Sequence, residues 1–275
     1  MSTSPTIEAS KILPFLKWAG GKRWLADSYT HALPQAFTGY CEPFLGSGAI
    51  FFSIRPDNAV LSDINEELIE CYSALRDDWR SVERHLARHQ KHHCKDHYYR
   101  VRSSLPRTVS ARAARFIYLN RTCWNGLYRV NLRGEFNVPI GTKHNVLLDT
   151  DQFELLANLL KSTTLAVSDF ETVIDQAKAG TLVFADPPYT VRHNLNGFVK
   201  YNEKIFHWDD QIRLRDCLVR ASNRGCLICL TNANHPSIEA LYKDDFDLTV
   251  LSRNSVIAAS SRNRGKYEEL LITNY

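Results

Sequence analysis

The stretch Thr181-Leu182-Val183-Phe184-Ala185-Asp186-Pro187-Pro188-Tyr189 places a rigid polar turn directly after an apolar run. A short apolar run that ends in an acid predicts a buried strand whose polar end opens into a pocket. Two consecutive prolines fix their own φ values and carry no N–H donor, so the Asp186 carboxylate and the Pro187 carbonyl are left as two acceptors. The exocyclic amine of a nucleobase is a donor that fits this pair, and Tyr189 offers a flat surface for the base.

Strand-like and helix-like segments alternate along most of the chain. Short apolar runs predict further strands at 59–63, 165–167, 226–231, 246–251 and 268–273, and amphipathic stretches predict helices at 64–75, 152–160, 171–179, 210–223 and 237–242. In the first of these helices, Ile64, Leu68, Ile69 and Tyr72 are expected on one apolar face. The alternation predicts an α/β fold with a largely parallel sheet. A polar, basic helical block over 77–119 interrupts it, which indicates an inserted domain.

The composition argues against a disordered chain and against a membrane-spanning one. Hydrophobic residues make up 44% of the 275 residues, enough for a buried core, and no apolar stretch approaches membrane-spanning length. Seven scattered cysteines, an odd number, fit the reducing cytosol, and residues 1–10 lack the basic-then-apolar pattern of a signal peptide. We expect a cytoplasmic protein that does not enter a membrane.

Positive charge is concentrated in the middle of the chain. Residues 73–160 contain 15 Lys+Arg against 8 Asp+Glu, although the whole chain has a net charge of only +4. Such a segment predicts contact with a polyanion, with a salt-dependent contribution from phosphates. Within it, residues 121–140 mix aromatic side chains with the turn signals Asn125-Gly126 and Arg133-Gly134, which predicts a hairpin or a loop-rich region.

Two groups of histidine and cysteine side chains, which are common metal ligands, are not expected to bind metal here. His85, His89, His92, His93, Cys94 and His97 form a dense cluster, but no ordered set of four ligands can be chosen from them. Cys226 and Cys229 have the Cys-x-x-Cys spacing, yet they lie inside an apolar strand, which favours buried thiols.

A glycine-rich turn and an acid predict a nucleoside ligand without phosphates. Gly46 and Gly48 allow close approach of the backbone to a ligand, and the next predicted strand ends at Asp63, where an acid can meet ribose hydroxyls. Phosphates beside such an acid would be repelled. The sequence Gly20-Gly21-Lys22 is not a P-loop, because Arg23 stands where a Ser or Thr is needed for magnesium.

S-adenosylmethionine satisfies these demands, because it has ribose hydroxyls, a carboxylate, an ammonium group and no phosphate. Lys22 is a candidate partner for the carboxylate of the ligand, and Glu42 is a candidate partner for its ammonium group. An ordinary loop acid is the alternative explanation of Glu42.

From about residue 15 to 275 the chain resembles the Dam-type DNA adenine-N6 methyltransferases, in the class whose recognition domain lies between the cofactor motif and the Asp-Pro-Pro-Tyr motif. The order and spacing of several motifs carry the resemblance: Lys17-Trp18-Ala19-Gly20-Gly21-Lys22, Glu42-Pro43-Phe44-Leu45-Gly46-Ser47-Gly48, Asp63-Ile64-Asn65, Asn125 to Asn131, Gly134 to Pro139, Asp186 to Tyr189, and Ser261 to Lys266.

The resemblance implies a Rossmann-like methyltransferase sheet that uses S-adenosylmethionine, with an inserted, mainly helical DNA-recognition domain that carries a β-hairpin. It implies a catalytic domain in two parts, 1–75 and 161–275, and a target-recognition domain at 76–160. The cofactor-binding residues that it implies are Trp18, Ala19, Gly20, Lys22, Glu42, Phe44, Gly46, Gly48, Asp63, Asp169, Phe170 and Asp186.

The implied reaction is a direct methyl transfer to a flipped-out adenine. An adenine inside a duplex hides its amine, so it must leave the stack at a cost of roughly a few kcal/mol. The catalytic residues are then Asp186, Pro187, Pro188 and Tyr189, with the base stacked on Tyr189 and its amine donating to Asp186 and to the Pro187 carbonyl. Neither a nucleophilic cysteine nor a metal is required.

Five residues of the basic segment are candidates for contact with DNA. Arg129 is suited to a bidentate contact with a guanine edge, and Trp124 to insertion where the adenine leaves the stack. Turn chemistry and surface charge are the alternative explanation of the whole set: Trp124, Asn125, Arg129, Arg133 and Lys143.

The sequence leaves other functions open. Cytosine N4 and RNA amines fit the same acceptor pair, and a DNA-binding protein without catalysis would keep the same fold. The sequence GATC is a candidate target, but Thr142-Lys143-His144 replaces the Arg-Tyr-Lys expected after the hairpin in relatives that methylate it. Double-stranded DNA is the expected partner of a monomer, and a cognate restriction endonuclease is a further candidate partner.

Overall fold

The computed structural model describes residues 11–131, 133–191, 206–254 and 266–275. Most of the Ser261–Lys266 motif therefore lies outside the described residues. Within the described part of the chain, no helix is both long enough and apolar enough to cross a membrane.

The strands form a seven-stranded sheet, and its mostly parallel arrangement confirms the predicted α/β class. Its strands are β1 (Gly39–Glu42), β2 (Ala59–Asp63), β3 (Thr163–Val167), β4 (Thr181–Ala185), β5 (Leu227–Ala233), β6 (Asp247–Asn254) and β7 (Lys266–Thr273). The order is β3-β2-β1-β4-β5-β7-β6. The strands from β3 to β5 pair in parallel, whereas β7 pairs antiparallel with both β5 and β6.

The strand order reverses between β1 and β4, and this position matters for ligand binding. The chain builds outward from β1 through β2 to β3, then returns to the other side of β1 with β4. Open parallel sheets bind ligands at such a switch point, outside the carboxyl ends of the strands.

The described helices are α1 (Arg23–Ser28), α2 (Ala49–Ile54), α3 (Glu66–His92), α4 (Lys95–Ser103), α5 (Val109–Thr122), α6 (Phe153–Leu160), α7 (Phe170–Gln176), α8 (Trp208–Asn223) and α9 (Pro236–Tyr242), with short 3₁₀ turns at Thr30–Ala32 and Trp124–Gly126. The predicted face of the first long helix is wrong in one residue. Ile64 precedes α3 and is 68% exposed, whereas Leu68, Ile69 and Tyr72 are buried. The turn that follows β2, in which the Asp63 carboxylate accepts from the Asn65 N–H, delays the start of the helix.

The chain divides into two compact units. The second unit, residues 29–45, 56–69 and 162–275, contains the whole sheet. The first unit contains the described residues up to 28, together with 46–55 and 70–161. The predicted recognition segment 76–160 lies within the first unit, while the domain boundaries themselves stay a prediction.

A buried arginine at the end of α5 holds the core of the first unit together. Arg121 is 2% exposed and forms a bidentate ion pair with Asp151, both N···O distances being 2.6 Å. The same guanidinium donates to the carbonyl oxygens of Phe15 and Val146. Phe15 lies near the start of the described chain, whereas Val146 and Asp151 lie in one loop before α6, so this side chain fixes two separate stretches of backbone around α5.

The region at 121–140, for which a hairpin or a loop-rich stretch was predicted, contains two isolated antiparallel bridges. Cys123 pairs with Ile140, and Val130 pairs with Phe136. Asn125 adopts a φ of +56°, in the left-handed region that asparagine tolerates better than most residues. The turn signals in the sequence therefore mark real changes of chain direction.

The histidine cluster lies between α3, α4 and α5 of the first unit. Nδ1 of His89 lies 3.0 Å from Nε2 of His97, the His89 ring stacks on Tyr118 at 4.6 Å, and His93 lies 2.9 Å from the Tyr118 hydroxyl. Among the residues that the structure describes, no three His, Cys, Asp or Glu side chains are arranged to hold a metal ion.

This cluster predicts a loss of stability in mild acid. Burial, followed by the charges of His97, His85 and His92, lowers the pKa of His89 to about 4. The His89 ring takes up a proton near pH 6.5 in the unfolded chain but only near pH 4 in the folded chain. The contribution of His89 to stability is therefore fully present above pH 6.5 and is lost as the pH falls from 6.5 towards 4. We expect His89 to contribute a loss on the order of 2 kcal/mol, after allowance for partial exposure.

Urea unfolding of the wild type and of His89→Gln between pH 7 and pH 5 measures this contribution. The variant should show a shallower fall in unfolding free energy, whereas His31→Gln, at an exposed position, should follow the wild type. Equal slopes for the wild type and His89→Gln would contradict the assignment.

Candidate active site

Four acidic residues lie at or just after the carboxyl ends of four neighbouring parallel strands. Glu42 is the last residue of β1, Asp63 is the last residue of β2, Asp169 lies two residues after β3, and Asp186 comes directly after β4. The carboxyl ends of parallel strands lie on the same edge of a sheet, so the fold places these acids along one edge, on both sides of the switch point. The second unit thus brings together the acids that the sequence predicted.

Glu42 is a buried carboxylate beside a buried phenol. It is 3% exposed, and its Oε2 accepts from the Tyr40 hydroxyl at 2.8 Å. Burial and the negative charge of Glu42 hold the pKa of Tyr40 well above its usual range, so Tyr40 stays a donor. A buried acid of this kind is suited to a cationic ligand group, which would offset the cost of its desolvation.

The segment after β3 is held by an arginine that the sequence did not point out. Asp169 caps α7 by accepting from the Glu171 N–H and forms a bidentate ion pair with Arg213 of α8 at 2.6 and 2.9 Å. The Arg213 hydrogen bonds are the main reason why the pKa of Asp169 is lowered. The same guanidinium lies 4.2 Å from the centre of the Phe170 ring, which in turn stacks on Phe44 at 5.3 Å.

The Asp-Pro-Pro-Tyr segment is supported from two neighbouring strands. Thr231, a buried residue of β5, donates to Oδ1 of Asp186 at 2.8 Å. The Tyr189 hydroxyl donates to Oε2 of Glu269 in β7 at 2.7 Å. Burial raises the pKa of Tyr189 well above its usual range, and the charges of Asp186 and Glu269 add to the shift. Sequence reasoning missed Glu269.

The other predicted cofactor residues lie in the first unit. A tight turn brings the Gly21 N–H to the Trp18 carbonyl at 3.0 Å, and the buried Lys22 ammonium donates to the Gly20 carbonyl at 2.8 Å. Gly46 has a φ of +48°, and a Cβ there would lie 2.7 Å from Cδ1 of Trp18, so only glycine fits. Gly48, the residue directly before α2, has a φ of +63°, and Ala19 and Gly20 are exposed.

The Trp18 ring also packs on the hairpin region of the same unit. It stacks against Tyr128 at 5.6 Å and against Phe116 of α5 at 6.3 Å. Asn120 reinforces the contact by accepting from the Lys17 N–H at 2.9 Å and donating to the Lys17 carbonyl at 2.7 Å.

The predicted DNA-contacting residues lie in or just after the hairpin and point to solvent. Trp124 is 52% exposed although it is a large aromatic side chain, and Arg129 is exposed while its Nε donates to Asn137 across the hairpin at 2.8 Å. Asn125, Arg133 and Lys143 are exposed as well. Their exposure leaves them available to a ligand, while contact with DNA stays a prediction.

Comparison with known proteins agrees with the chemistry of this site. The family model described as D12 class N6 adenine-specific DNA methyltransferase matches residues 18–257. The chain is 36% identical to the type II methyltransferase M1.LlaDCHI of Lactococcus lactis subsp. cremoris, over 95% of each chain. It is 32% identical to the type II methyltransferase M.MjaIII of Methanocaldococcus jannaschii, over 96% of this chain and 100% of the relative.

A third relative comes from an enterobacterium. The DNA adenine methylase of Escherichia coli K12 is 30% identical over 94% of this chain and 93% of its own length. The match spans both parts of the sheet and the basic segment between them. Together with the acids and the Asp-Pro-Pro-Tyr segment at the carboxyl edge of the sheet, these similarities show that the chain belongs to the D12 class of N6 adenine-specific DNA methyltransferases.

Proposed function

We propose that this chain transfers the methyl group of S-adenosylmethionine to the N6 amine of an adenine in a short, specific site of duplex DNA. The observation that carries the proposal is the Asp186–Tyr189 segment at the carboxyl end of β4. There, the Asp186 carboxylate is oriented by Thr231, and the proline that follows offers a carbonyl without a competing N–H.

The chemistry of the acidic edge fits S-adenosylmethionine better than a nucleotide. Several carboxylates at one edge would repel phosphates, whereas the buried Glu42 is suited to the ammonium group and Asp63 to the ribose hydroxyls. Phe170 offers an apolar surface for the purine, and Phe44, which stacks on it, would pack against the methionine part of the cofactor. When bound, the cofactor supplies an electrophilic methyl group on a sulfonium centre. The residues predicted from the first unit, Trp18 to Lys22 with Gly46 and Gly48, remain part of this proposal.

The residues of the Asp186–Tyr189 segment would act mainly by positioning the target amine. Two acceptors, the Asp186 carboxylate and the Pro187 carbonyl, bind the two N–H groups and direct the nitrogen lone pair towards the methyl carbon. Transfer would form the nitrogen–carbon bond as the carbon–sulfur bond breaks to leave a neutral thioether, and the methylated amine would release one proton to water. Pro187 and Pro188 keep the acceptors rigid, so most of the rate comes from orientation and preorganised electrostatics.

Recognition of the site is proposed to lie in the exposed residues of the hairpin. Arg129 is oriented by Asn137 and has donors for a guanine edge, whereas Trp124 presents an apolar face that can fill the space left by a flipped adenine. Phosphate contacts from the basic segment would add affinity without sequence preference.

Mapping of methylated bases tests this part of the proposal. The protein is expressed in a host without adenine methylation, and its DNA is read by single-molecule sequencing. We expect N6-methyladenine in one short motif, with GATC as the first sequence to compare. Methylation at unrelated sequences, or none in a host that contains folded protein, would contradict a site-specific activity.

Two of the relatives are named type II methyltransferases, which supports a further proposal about biological role. Methylation by this chain would protect DNA from a restriction endonuclease that recognises the same motif. DNA from the expressing host should then resist an endonuclease of that specificity, and cleavage at mapped sites would contradict the role.

Replacing Arg213 should weaken cofactor binding more than the chemical step. Arg213→Met keeps the aliphatic stem but removes the guanidinium that holds Asp169 and covers Phe170. We expect the Kd for S-adenosylmethionine to rise about 10-fold, which corresponds to about 1.4 kcal/mol. Isothermal titration measures the Kd, and the methyl-transfer rate at saturating cofactor should change little.

Arg220→Met is the matched control on the same helix. Arg220 also joins α8 to α7, through Glu171 and Asp175, but it contacts neither Asp169 nor Phe170 in the described contacts. Equal weakening by both variants would assign the effect to helix packing rather than to the cofactor pocket.

A further inference from the structure

Glu269 occupies a position of β7 that faces the Asp-Pro-Pro-Tyr segment. In the antiparallel pairing of β5 and β7, Ala233 lies opposite Glu269 and Thr231 lies opposite Leu271. Residues directly opposite each other, and residues two apart on a strand, share one face of the sheet. Glu269 and Thr231 therefore project from the same face, one towards Tyr189 and the other towards Asp186.

Glu269 is a buried acid in a stretch of β7 whose next residues are apolar, and its burial costs free energy. Glu269 is 5% exposed, and the next three residues of β7 are the buried Leu270, Leu271 and Ile272. A buried carboxylate costs several kcal/mol unless it is paired or hydrogen-bonded. An apolar residue at this position would pack without that cost, so the acid is better explained by what it holds than by stability.

What Glu269 holds is the far end of the Tyr189 ring. The carboxylate accepts from the phenol hydroxyl at 2.7 Å, within the short range of charge-assisted hydrogen bonds. A ring attached only through Cβ can swing about two side-chain torsions, whereas a strong bond at the opposite end fixes its plane. Because burial raises the pKa of Tyr189 well above its usual range, the hydroxyl remains a donor across the working pH range.

We propose that Glu269 is a positioning residue for the target adenine, which acts through the Tyr189 hydroxyl to fix the ring against which the base stacks. The inference rests on the proposed function, because it takes Tyr189 as the stacking surface. Thr231 would orient the Asp186 carboxylate in the same way. Both ends of the Asp186–Tyr189 segment would then be held, one by β5 and the other by β7. Small displacements of the base lower the rate strongly, because transfer depends on alignment of the amine with the methyl carbon.

The test is a double-mutant cycle on single-turnover methyl transfer, with saturating duplex DNA and S-adenosylmethionine. Tyr189→Phe and Glu269→Leu should each lower the rate about 10-fold, while the Kd for the cofactor, measured by separate titration, should change less than about 2-fold. The double variant should be no slower than Tyr189→Phe alone, because the bond that Glu269→Leu removes is already lost in Tyr189→Phe. Glu269→Gln, which keeps an acceptor, should recover most of the rate.

Glu268→Gln is the matched control one residue away. Glu268 is exposed, on the opposite face of β7, and pairs with Asn234. It should transfer methyl groups at the wild-type rate. If Glu269→Leu proves too unstable to assay, the rate of the double variant is compared with the rate of Tyr189→Phe. This comparison still tests the inference, because the double variant removes both the phenol hydroxyl and the carboxylate and so leaves neither of them without the other.

Two results would overturn the inference. A wild-type rate in folded Glu269→Leu would show that the acid does not position the base, and losses that multiply to about 100-fold in the double variant would show that the two residues act independently. Asp186→Ala in the same assay separates this from failure of the proposed function. If Asp186→Ala is active, the proposed site is wrong. If Asp186→Ala is inactive and Glu269→Leu keeps the wild-type rate, only the proposed role of Glu269 is wrong.

Discussion

Asp186→Ala should lower the single-turnover rate of methyl transfer about 10³-fold, with little effect on folding. The alanine removes the carboxylate that would accept from the target amine, and that carboxylate is held in place by Thr231 at 2.8 Å. Interactions that act mainly in the transition state lower the rate constant rather than the affinity for substrates. Binding of S-adenosylmethionine and of duplex DNA should therefore change far less than the rate.

Single-turnover assays with labelled cofactor measure this effect directly. Asp216→Ala, which removes an exposed acid of α8 that pairs with Arg215, is a control for the loss of a negative charge. It should retain the wild-type rate. A loss of less than about 10-fold in Asp186→Ala would place the acceptor of the amine elsewhere.

Arg121→Met should destabilise the first unit by about 3–5 kcal/mol, which is the largest stability effect that we expect from one substitution. The variant leaves the Asp151 carboxylate buried without its ion pair and removes donors from two backbone carbonyls. The loss combines an uncompensated buried charge with unsatisfied acceptors.

Chemical denaturation and native-state hydrogen exchange measure the effect of Arg121→Met. The matched control is Arg112→Met, since Arg112 pairs with Glu70 where both side chains are about 30% exposed. We expect a loss of about 1 kcal/mol or less there, as is usual for partly exposed pairs. Similar losses in the two variants would contradict the central role of Arg121 in the core.

Much of the candidate active site was predictable because its residues lie at or just after strand ends. Apolar runs that terminate in an acid can be recognised locally, and parallel strands then bring those acids to one edge. Asp63 and Asp186 were predicted in this way, and both lie where the sequence placed them. The hairpin was predictable for a similar reason, because the asparagine–glycine and arginine–glycine turns are local signals.

The supporting residues were not predictable because they act across long sequence separations. Glu269 meets Tyr189 only through the register of β7 against β5, and the two residues are 80 positions apart in the chain. In the sequence, Arg213 is one of several charged residues of an amphipathic helix. Its contact with Asp169 depends on the packing of α8 beside α7, which the sequence does not show. Ile64 was misplaced because apolar periodicity does not locate the first turn of a helix, which here is set by the turn after Asp63.

The most direct test of the account is the identity of the base that receives the methyl group. The protein is incubated with methyl-labelled S-adenosylmethionine and unmethylated duplex DNA, the DNA is digested to nucleosides, and the label is located by chromatography. We expect label in N6-methyladenine alone, and we expect Asp186→Ala to abolish it. Label in cytosine, or no transfer by folded protein that binds the cofactor, would contradict the account.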